Sequence, residues 1–357
     1  MERVNYYFSF VDLPNKYKGM QDIPRMMRAI VQSDIGSKLE VREIDTPIPQ
    51  KGQVLVKLHY ASINPSDLSL LQGTFKNKPN YPIIPGIEGS GIVVASGGGI
   101  LPKLRLNKRV SCTATEGLGG SWAEYMLTSA MHVIPVEKSI KFEQAASLIV
   151  NPLTALAFID IAKRNNTKSI LNNAAAGALG KMLISLANKE NIDLINIVRK
   201  EEQKKQLESF GAKYVLNSTS KNIISDLKSI AKKLDTKIYF DAIGGKCTDN
   251  FIEASPEGSQ IYLYANLSEE KSLFNPRTLL QQEKTIQGFF LGNYSSNQNL
   301  FKTLSTIKKA QKLLHNELKT QVNEIFEITD INEAIDLYSN NMSKGKVLLK
   351  FNKKAQE

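Results

Sequence analysis

The sequence predicts an α/β chain in two parts, a partly open β-barrel followed by a doubly wound parallel sheet, and three observations carry that expectation. Short alternating runs broken by Gly and Pro fill the stretch from Met27 to about Lys138. From Ala145 to Leu291 the pattern changes to apolar strands alternating with helices, as in a parallel sheet covered on both faces. At the first of these strand-to-helix junctions lies a turn of very small side chains, Asn172-Asn-Ala-Ala-Ala-Gly-Ala-Leu-Gly180.

Taken in order, residues 1–26 show no clear period and read as an N-terminal tail. The first strand pattern is Met27-Arg-Ala-Ile-Val-Gln32, and Gln53–Tyr60 and Gly91–Ala95 repeat the alternation inside a first domain spanning 27–149. A second domain spanning 150–291 carries strands at Ile170-Leu171, Ile192–Val198, Tyr214–Leu216, Ile238–Ala242, Gln260–Ala265 and Thr285–Leu291. In the remaining segment, 292–357, a helix is expected from about Asn297 to Leu318, a strand at Val322–Ile328, a helix at Ile331–Ser339 and a strand at Lys346–Phe351. Its β-rich end is expected to return to the first domain.

Composition narrows the function classes. The chain has 357 residues of which 42% are hydrophobic, ordinary for a folded globule of two domains. It has no apolar stretch of membrane-spanning length, and no charged start, apolar core and small-residue cleavage site at its N-terminus, so a cytoplasmic enzyme without membrane insertion is expected. Two cysteines, Cys112 and Cys247, supply neither a disulfide framework nor a four-cysteine zinc site. The net charge of +11 is spread over helix faces rather than gathered with aromatics, which argues against a nucleic-acid partner and suits attraction of anionic small molecules. His59, His132 and His315 are isolated from one another and receive no catalytic role.

The small-residue turn is where chemistry enters. Ala175, Gly177 and Gly180 occupy the three positions of a G-x-G-x-x-G fingerprint, with alanine first. Small residues there let the backbone turn tightly and let a pyrophosphate approach the helix start, where the amides of Ala178, Leu179 and Gly180 would face it. A plain strand-to-helix turn is the rival reading. The next strand ends at Arg199-Lys200, about twenty residues beyond the glycines, where a carboxylate would bond an unphosphorylated ribose. A guanidinium instead pairs with a 2′-phosphate, so Arg199 points to NADPH, against the alternative of a solvated basic pair.

The order of segments resembles the medium-chain dehydrogenases/reductases, within them the zinc-independent quinone oxidoreductase and enoyl reductase branch. The carriers are Ala61-Ser-Ile-Asn-Pro-Ser-Asp67, Pro85-Gly-Ile-Glu-Gly-Ser-Gly91, Gly120-Ser-Trp-Ala-Glu-Tyr125, Asn151-Pro-Leu-Thr-Ala155, Phe240-Asp-Ala-Ile-Gly-Gly245 and Gly345-Lys-Val-Leu-Leu349, besides the first strand and the glycine turn. The resemblance implies a GroES-like β-barrel beside a Rossmann doubly wound sheet, NAD(P)H in the cleft between them, and a homodimer. It also implies no metal. Zinc-using members place a cysteine near Ser62-Ile-Asn64 and a histidine where Ile87 stands, and neither is present here.

Without a Lewis acid, reduction of an already electrophilic quinone or 2-enone is favoured over alcohol oxidation. The resemblance places Asn64 beside the substrate carbonyl as a hydrogen-bond donor, with an Asn-Pro turn former as the rival reading. It places Thr154 and Ile243 near the cofactor and Lys346 near the pyrophosphate; a back-bonded helix hydroxyl and a surface lysine are the respective rivals for Thr154 and Lys346. Enoyl thioester reductases carry a tyrosine proton donor in the segment matching Leu71–Phe75, where this chain has Phe75. That weighs against a 2-enoyl thioester substrate and leaves water, Tyr264 or Tyr294 to supply the proton. A non-catalytic NADPH-binding redox sensor is the remaining alternative.

Overall fold

A computed structural model of the chain describes residues 23–74 and 80–351. Most of the N-terminal tail and Phe75 lie outside the described residues. The strands run β1 (Met26–Val31), β2 (Glu40–Asp45), β3 (Gln53–Ser62), β4 (Glu88–Ser96), β5 (Arg109–Thr113), β6 (Tyr125–Ser129), β7 (Val133–Pro135), β8 (Ser169–Asn172), β9 (Asp193–Val198), β10 (Tyr214–Asn217), β11 (Ile238–Asp241), β12 (Gln260–Leu263), β13 (Thr285–Gly288), β14 (Val322–Glu327) and β15 (Lys346–Lys350). They form a mixed α/β architecture of a barrel-like antiparallel part and a parallel sheet.

In the first part β1 and β2 make a two-stranded ribbon, and a seven-stranded sheet has the order β14-β15-β3-β4-β5-β7 with β6 paired to β3. Every pairing in it is antiparallel except β14 with β15. Strand β3 is its axis. Val54, Val56 and Leu58 alternate into one core while Leu55 faces a second under β1, so a period of two feeds two apolar clusters before the second face opens to solvent at Lys57. Register shifts between Leu55 and Val56 and between Leu58 and Tyr60 bend β3 around that core.

The second sheet has six parallel strands in the order β10-β9-β8-β11-β12-β13. Its central strands β8 and β11 are buried at every residue, as expected of a sheet covered by helices on both faces. Ile170 packs into the cluster on one face and Leu171 into that on the other. On the first face the ring of Phe158, from the helix Val150–Arg164, stacks on Phe240 of β11 with centroids 3.7 Å apart.

The C-terminal segment divides differently from the sequence expectation. The long helix is Leu300–Leu313, begun by Asn299, whose side chain accepts from the Lys302 amide at 2.8 Å. Ala310, Leu313, Leu314 and Leu318 join the core under the parallel sheet, so the return to the barrel begins near Val322 and not at residue 292. Amphipathic spacing shows that one face of this helix must be covered; it does not show which sheet does the covering. From Ile328 onward, Ile331, Ala334, Tyr338, Val347 and Leu349 do pack into the barrel core. Among the described residues no helix is long and apolar enough to cross a membrane.

Candidate active site

A long cleft runs between the two sheets, and its floor is where strand order reverses. Strand β8 lies between β9 and β11, so the loops after β8 and β11 leave the sheet on opposite sides and open a crevice at their carboxyl ends. After β8 the chain turns through Ala174, which adopts a left-handed φ of 49°. The Ala175 amide donates to the Ile197 carbonyl at 3.2 Å and the Gly177 amide to the Ala174 carbonyl at 3.0 Å, which closes the turn. The helix Ala178–Lys189 begins there, and its first intrahelical bond runs from the Lys181 amide to the Gly177 carbonyl at 3.1 Å. The amides of Ala178, Leu179 and Gly180 therefore lack helical acceptors, and these residues line the cleft. Gly180 has a steric reason to be glycine: a Cβ there would lie 2.1 Å from the Ala175 carbonyl oxygen. Ala175 itself is buried behind the turn.

A buried polar lattice holds the two loops in register. Asp241, the last residue of β11, accepts from Asn173 Nδ2 at 2.5 Å, from the amides of Ile243 and Gly244 at 2.8 and 3.0 Å, and from Thr248 Oγ1 at 2.6 Å. Asn173 Oδ1 in turn accepts from the Ala242 amide at 2.7 Å. Ile243 is thereby set in the cleft wall beside the glycine turn. The sequence reading passed over Asn173 and Asp241, although a carboxylate closing a strand of buried apolar residues is a signal that it caps something.

Arg199 and Lys200 follow directly on β9, are exposed, and line the same end of the cleft together with Ser220 and Lys221. Their backbone amides both donate to Gln203 Oε1, at 3.2 Å each, which fixes the start of the helix Glu201–Ser209. No ion pair among the described residues engages either side chain.

The opposite wall comes from the barrel. Glu88, at the start of β4, is fully buried and accepts from Ser62 Oγ at 2.9 Å, Asn64 Nδ2 at 3.2 Å, and the amides of Ile149 and Val150 at 3.2 and 2.9 Å. The last two begin the helix Val150–Arg164, so one carboxylate ties the barrel to a helix whose Asn151 and Thr154 line the cleft. Asn64 is also fully buried: its Nδ2 additionally donates to Ser62 Oγ at 3.1 Å and its Oδ1 accepts from Lys346 Nζ.

Two expectations change as a result. Asn64 presents no free amide hydrogen to a substrate; both ends of its side chain are committed inside the barrel wall, and it is Pro65 and Ser66 that face the cleft. Lys346 borders the cleft but is not a surface lysine: it is 1% exposed, and its ammonium donates to the Ile63 carbonyl at 3.0 Å as well as to Asn64. A buried ammonium must be paired to be tolerated; the Ile63 carbonyl and Asn64 Oδ1 accept its hydrogen bonds, and Glu88 lies nearby. Burial lowers the Lys346 pKa, opposed by Glu88 and Asp67. Burial raises that of Asp67 to about 7, opposed by the bond from the Asn64 amide at 2.7 Å and by Lys346.

Thr154 stands in the cleft wall with its hydroxyl donating to the Val150 carbonyl at 2.6 Å, the back-bonded geometry. The Tyr264 hydroxyl donates to Asn172 Oδ1 at 2.9 Å and that of Tyr294 to Asp160 Oδ2, and burial raises both phenol pKa values. Asp160 also receives Lys302 at 2.5 Å and Arg164 at 2.8 Å. Among the described residues no cluster of three or more His, Cys, Asp or Glu side chains could hold a metal ion.

Two family models match the chain: the alcohol dehydrogenase GroES-like domain over residues 50–138 and the zinc-binding dehydrogenase model over residues 178–308. The structure superposes on that of a candidate NADPH:quinone reductase from Mesorhizobium loti with a TM-score of 0.85 and 31% identity, covering 92% of this chain and 99% of that one. The quinone oxidoreductase of Rattus norvegicus is 26% identical over 290 residues, 80% of this chain and 86% of that protein. The mitochondrial enoyl-[acyl-carrier-protein] reductase of Arabidopsis thaliana is 27% identical over 278 residues, 75% of this chain and 73% of that protein.

Proposed function

The chain belongs to the medium-chain dehydrogenase/reductase family, in its quinone reductase branch, as an oxidoreductase that uses a nicotinamide cofactor, and from that premise we propose that it reduces a quinone or 2-enone with NADPH and without zinc. The observation that carries this reading is the crevice itself: three amides at a helix start without helical acceptors, a glycine that lets the helix start pack against the Ala175 carbonyl, and the guanidinium of Arg199 at the end of the next strand, in no ion pair among the described residues. When bound, NADPH supplies the hydride. The protein orients and shields the reacting pair, which is where its contribution to the rate lies.

In this reading Ala178, Leu179 and Gly180 hold the diphosphate, and Arg199 with Lys200 meets the 2′-phosphate. Ile243 packs against the cofactor. Asn64 and Lys346 act at one remove, holding the Pro65-Ser66 wall in place. Thr154, its hydrogen spent on Val150, offers only an acceptor oxygen. The phenols of Tyr264 and Tyr294 are likewise engaged, so water is the proton source for the reduced product. Freedom from zinc is supported by the donor set, because the stretch Ser62-Ile-Asn64, near which zinc-using relatives carry a cysteine, has none, Ile87 stands where they carry histidine, and Asn64 is already saturated. The exposed edge strand β13, with Leu273 and Leu280 also exposed after β12, suits a homodimer.

A 2-enoyl thioester is the second reading, favoured by the name of the Arabidopsis thaliana relative and opposed by phenylalanine at position 75. Steady-state assays with a short quinone, an enone and crotonyl-CoA separate the two; thioester turnover well above the others reverses their order. Calorimetry tests the cofactor: NADPH is expected to bind more tightly than NADH, and Arg199→Ala to weaken NADPH about tenfold while leaving NADH nearly unchanged. Equal affinity of the native chain for both would remove the basis for NADPH.

A further inference from the structure

On the barrel lies an apolar patch that the reaction does not explain; it reaches the cleft only through Met131. The short helix Ile100–Arg105 is held by its inner face, where Pro102 is buried and Leu101 packs on the barrel core. Its outer face leaves Ile100 83% and Leu104 62% exposed. Met131, from the neighbouring turn Ala130–His132, is 80% exposed. These segments are contiguous, because the Gly52 amide donates to the Gly98 carbonyl at 3.0 Å and the Ala130 amide donates to the Gly52 carbonyl at 3.0 Å. Lys103 belongs to this helix, the Lys108 amide donates to the Arg105 carbonyl at its end at 3.0 Å, and Lys51 precedes Gly52; all three are exposed and none enters an ion pair among the described residues. No acidic residue occurs between Glu88 and Glu116, so nothing in that stretch neutralises Lys103 and Lys108.

We infer that this patch docks the protein on an anionic phospholipid surface, with Ile100, Leu104 and Met131 entering the headgroup boundary and the three lysines resting on the headgroups. Single apolar side chains exposed to this degree stand proud of the surface instead of lining a groove, which suits a soft medium they can penetrate. Each unpaired ammonium has its counter-charge in the lipid, and the net charge of +11 adds long-range attraction. The proposal is independent of the cofactor and substrate assignments.

The test is co-sedimentation of the full chain with phosphatidylcholine vesicles, with and without phosphatidylserine, at low and high salt. Binding is expected only to the phosphatidylserine vesicles and is expected to fall with salt. Lys103→Gln and Lys108→Gln are each expected to weaken it about fivefold. Ile100→Ser with Leu104→Ser is expected to weaken it at low and high salt alike. All four positions are exposed, and unchanged turnover in solution confirms that each variant is folded. Equal binding to both vesicle types, no binding to either, or binding that the variants leave intact overturns the proposal. So does a self-association of the native chain that Ile100→Ser abolishes, because the patch then covers a second copy.

Discussion

The wall of the cleft contributed by the parallel sheet presents main-chain amides and small side chains, whereas the barrel wall is backed by buried Glu88, Asp67 and Lys346, each hydrogen-bonded to the buried Asn64. The first is made by backbone shape: Ala174 at positive φ, Gly180 against the Ala175 carbonyl, and a helix start left uncapped. The second is made by charge held out of water. Substitutions should therefore act on the two walls for different reasons, through volume on one and through unsatisfied polar groups on the other.

The largest effect is expected at Glu88. Glu88→Ala strips an acceptor from Ser62, Asn64 and two helix amides and leaves Lys346 with less compensating charge, so a loss of about 3–5 kcal/mol is expected in denaturant unfolding. A loss below about 1 kcal/mol would mean that water replaces the carboxylate and that the barrel wall is less dry than its burial indicates.

Next comes Gly180→Ala. Its Cβ would meet main chain, which yields only by moving the turn, so a destabilisation of about 1–3 kcal/mol with weakened nicotinamide-cofactor binding is expected by melting and calorimetry. Intact cofactor affinity in a folded variant would show that the diphosphate does not use this turn.

Asp67→Asn separates charge from shape at a single site. The Asp67 carboxyl is raised from 3.8 to about 7 by burial, so the folded state holds a proton that the unfolded state releases. Between those values stability from this group falls as pH rises, and above about 7 the full penalty of a buried carboxylate remains. Asparagine removes that dependence while keeping an acceptor for the Asn64 amide, so thermal midpoints of the variant should gain on the native chain on going from pH 5 to pH 8. Parallel curves for the two proteins would show that Asp67 is ionised throughout. The smallest effect is expected at Thr154→Val: a hydroxyl bonded only to its own helix contributes little, and a change in cofactor KM beyond about threefold would show that its oxygen accepts from the ligand.

The unequal legibility of the two walls follows from the same contrast. The glycine turn could be read residue by residue, because positions needing small side chains at a strand-to-helix junction leave a local trace. Arg199 was placed by its distance along the chain from that turn. Glu88 was visible within Pro85–Gly91 as a motif without a role, since its partners Ser62, Asn64, Ile149 and Val150 are distant in sequence. Lys346, preceding a strand, carried nothing to say that its ammonium turns inward. The helix Leu300–Leu313 has the same defect, its apolar face being plain and its host sheet not.

Strand and helix periods and small-residue spacing were thus readable from the chain alone, because each depends on neighbours within a few residues. The division of the C-terminal segment, the inward turn of Lys346 and the burial of the Asn64 side chain among Ser62, Glu88 and Lys346 were decided by tertiary structure. Those outcomes depend on which distant groups share a buried volume, and there an unpartnered polar atom is too costly for its orientation to be left to local preference.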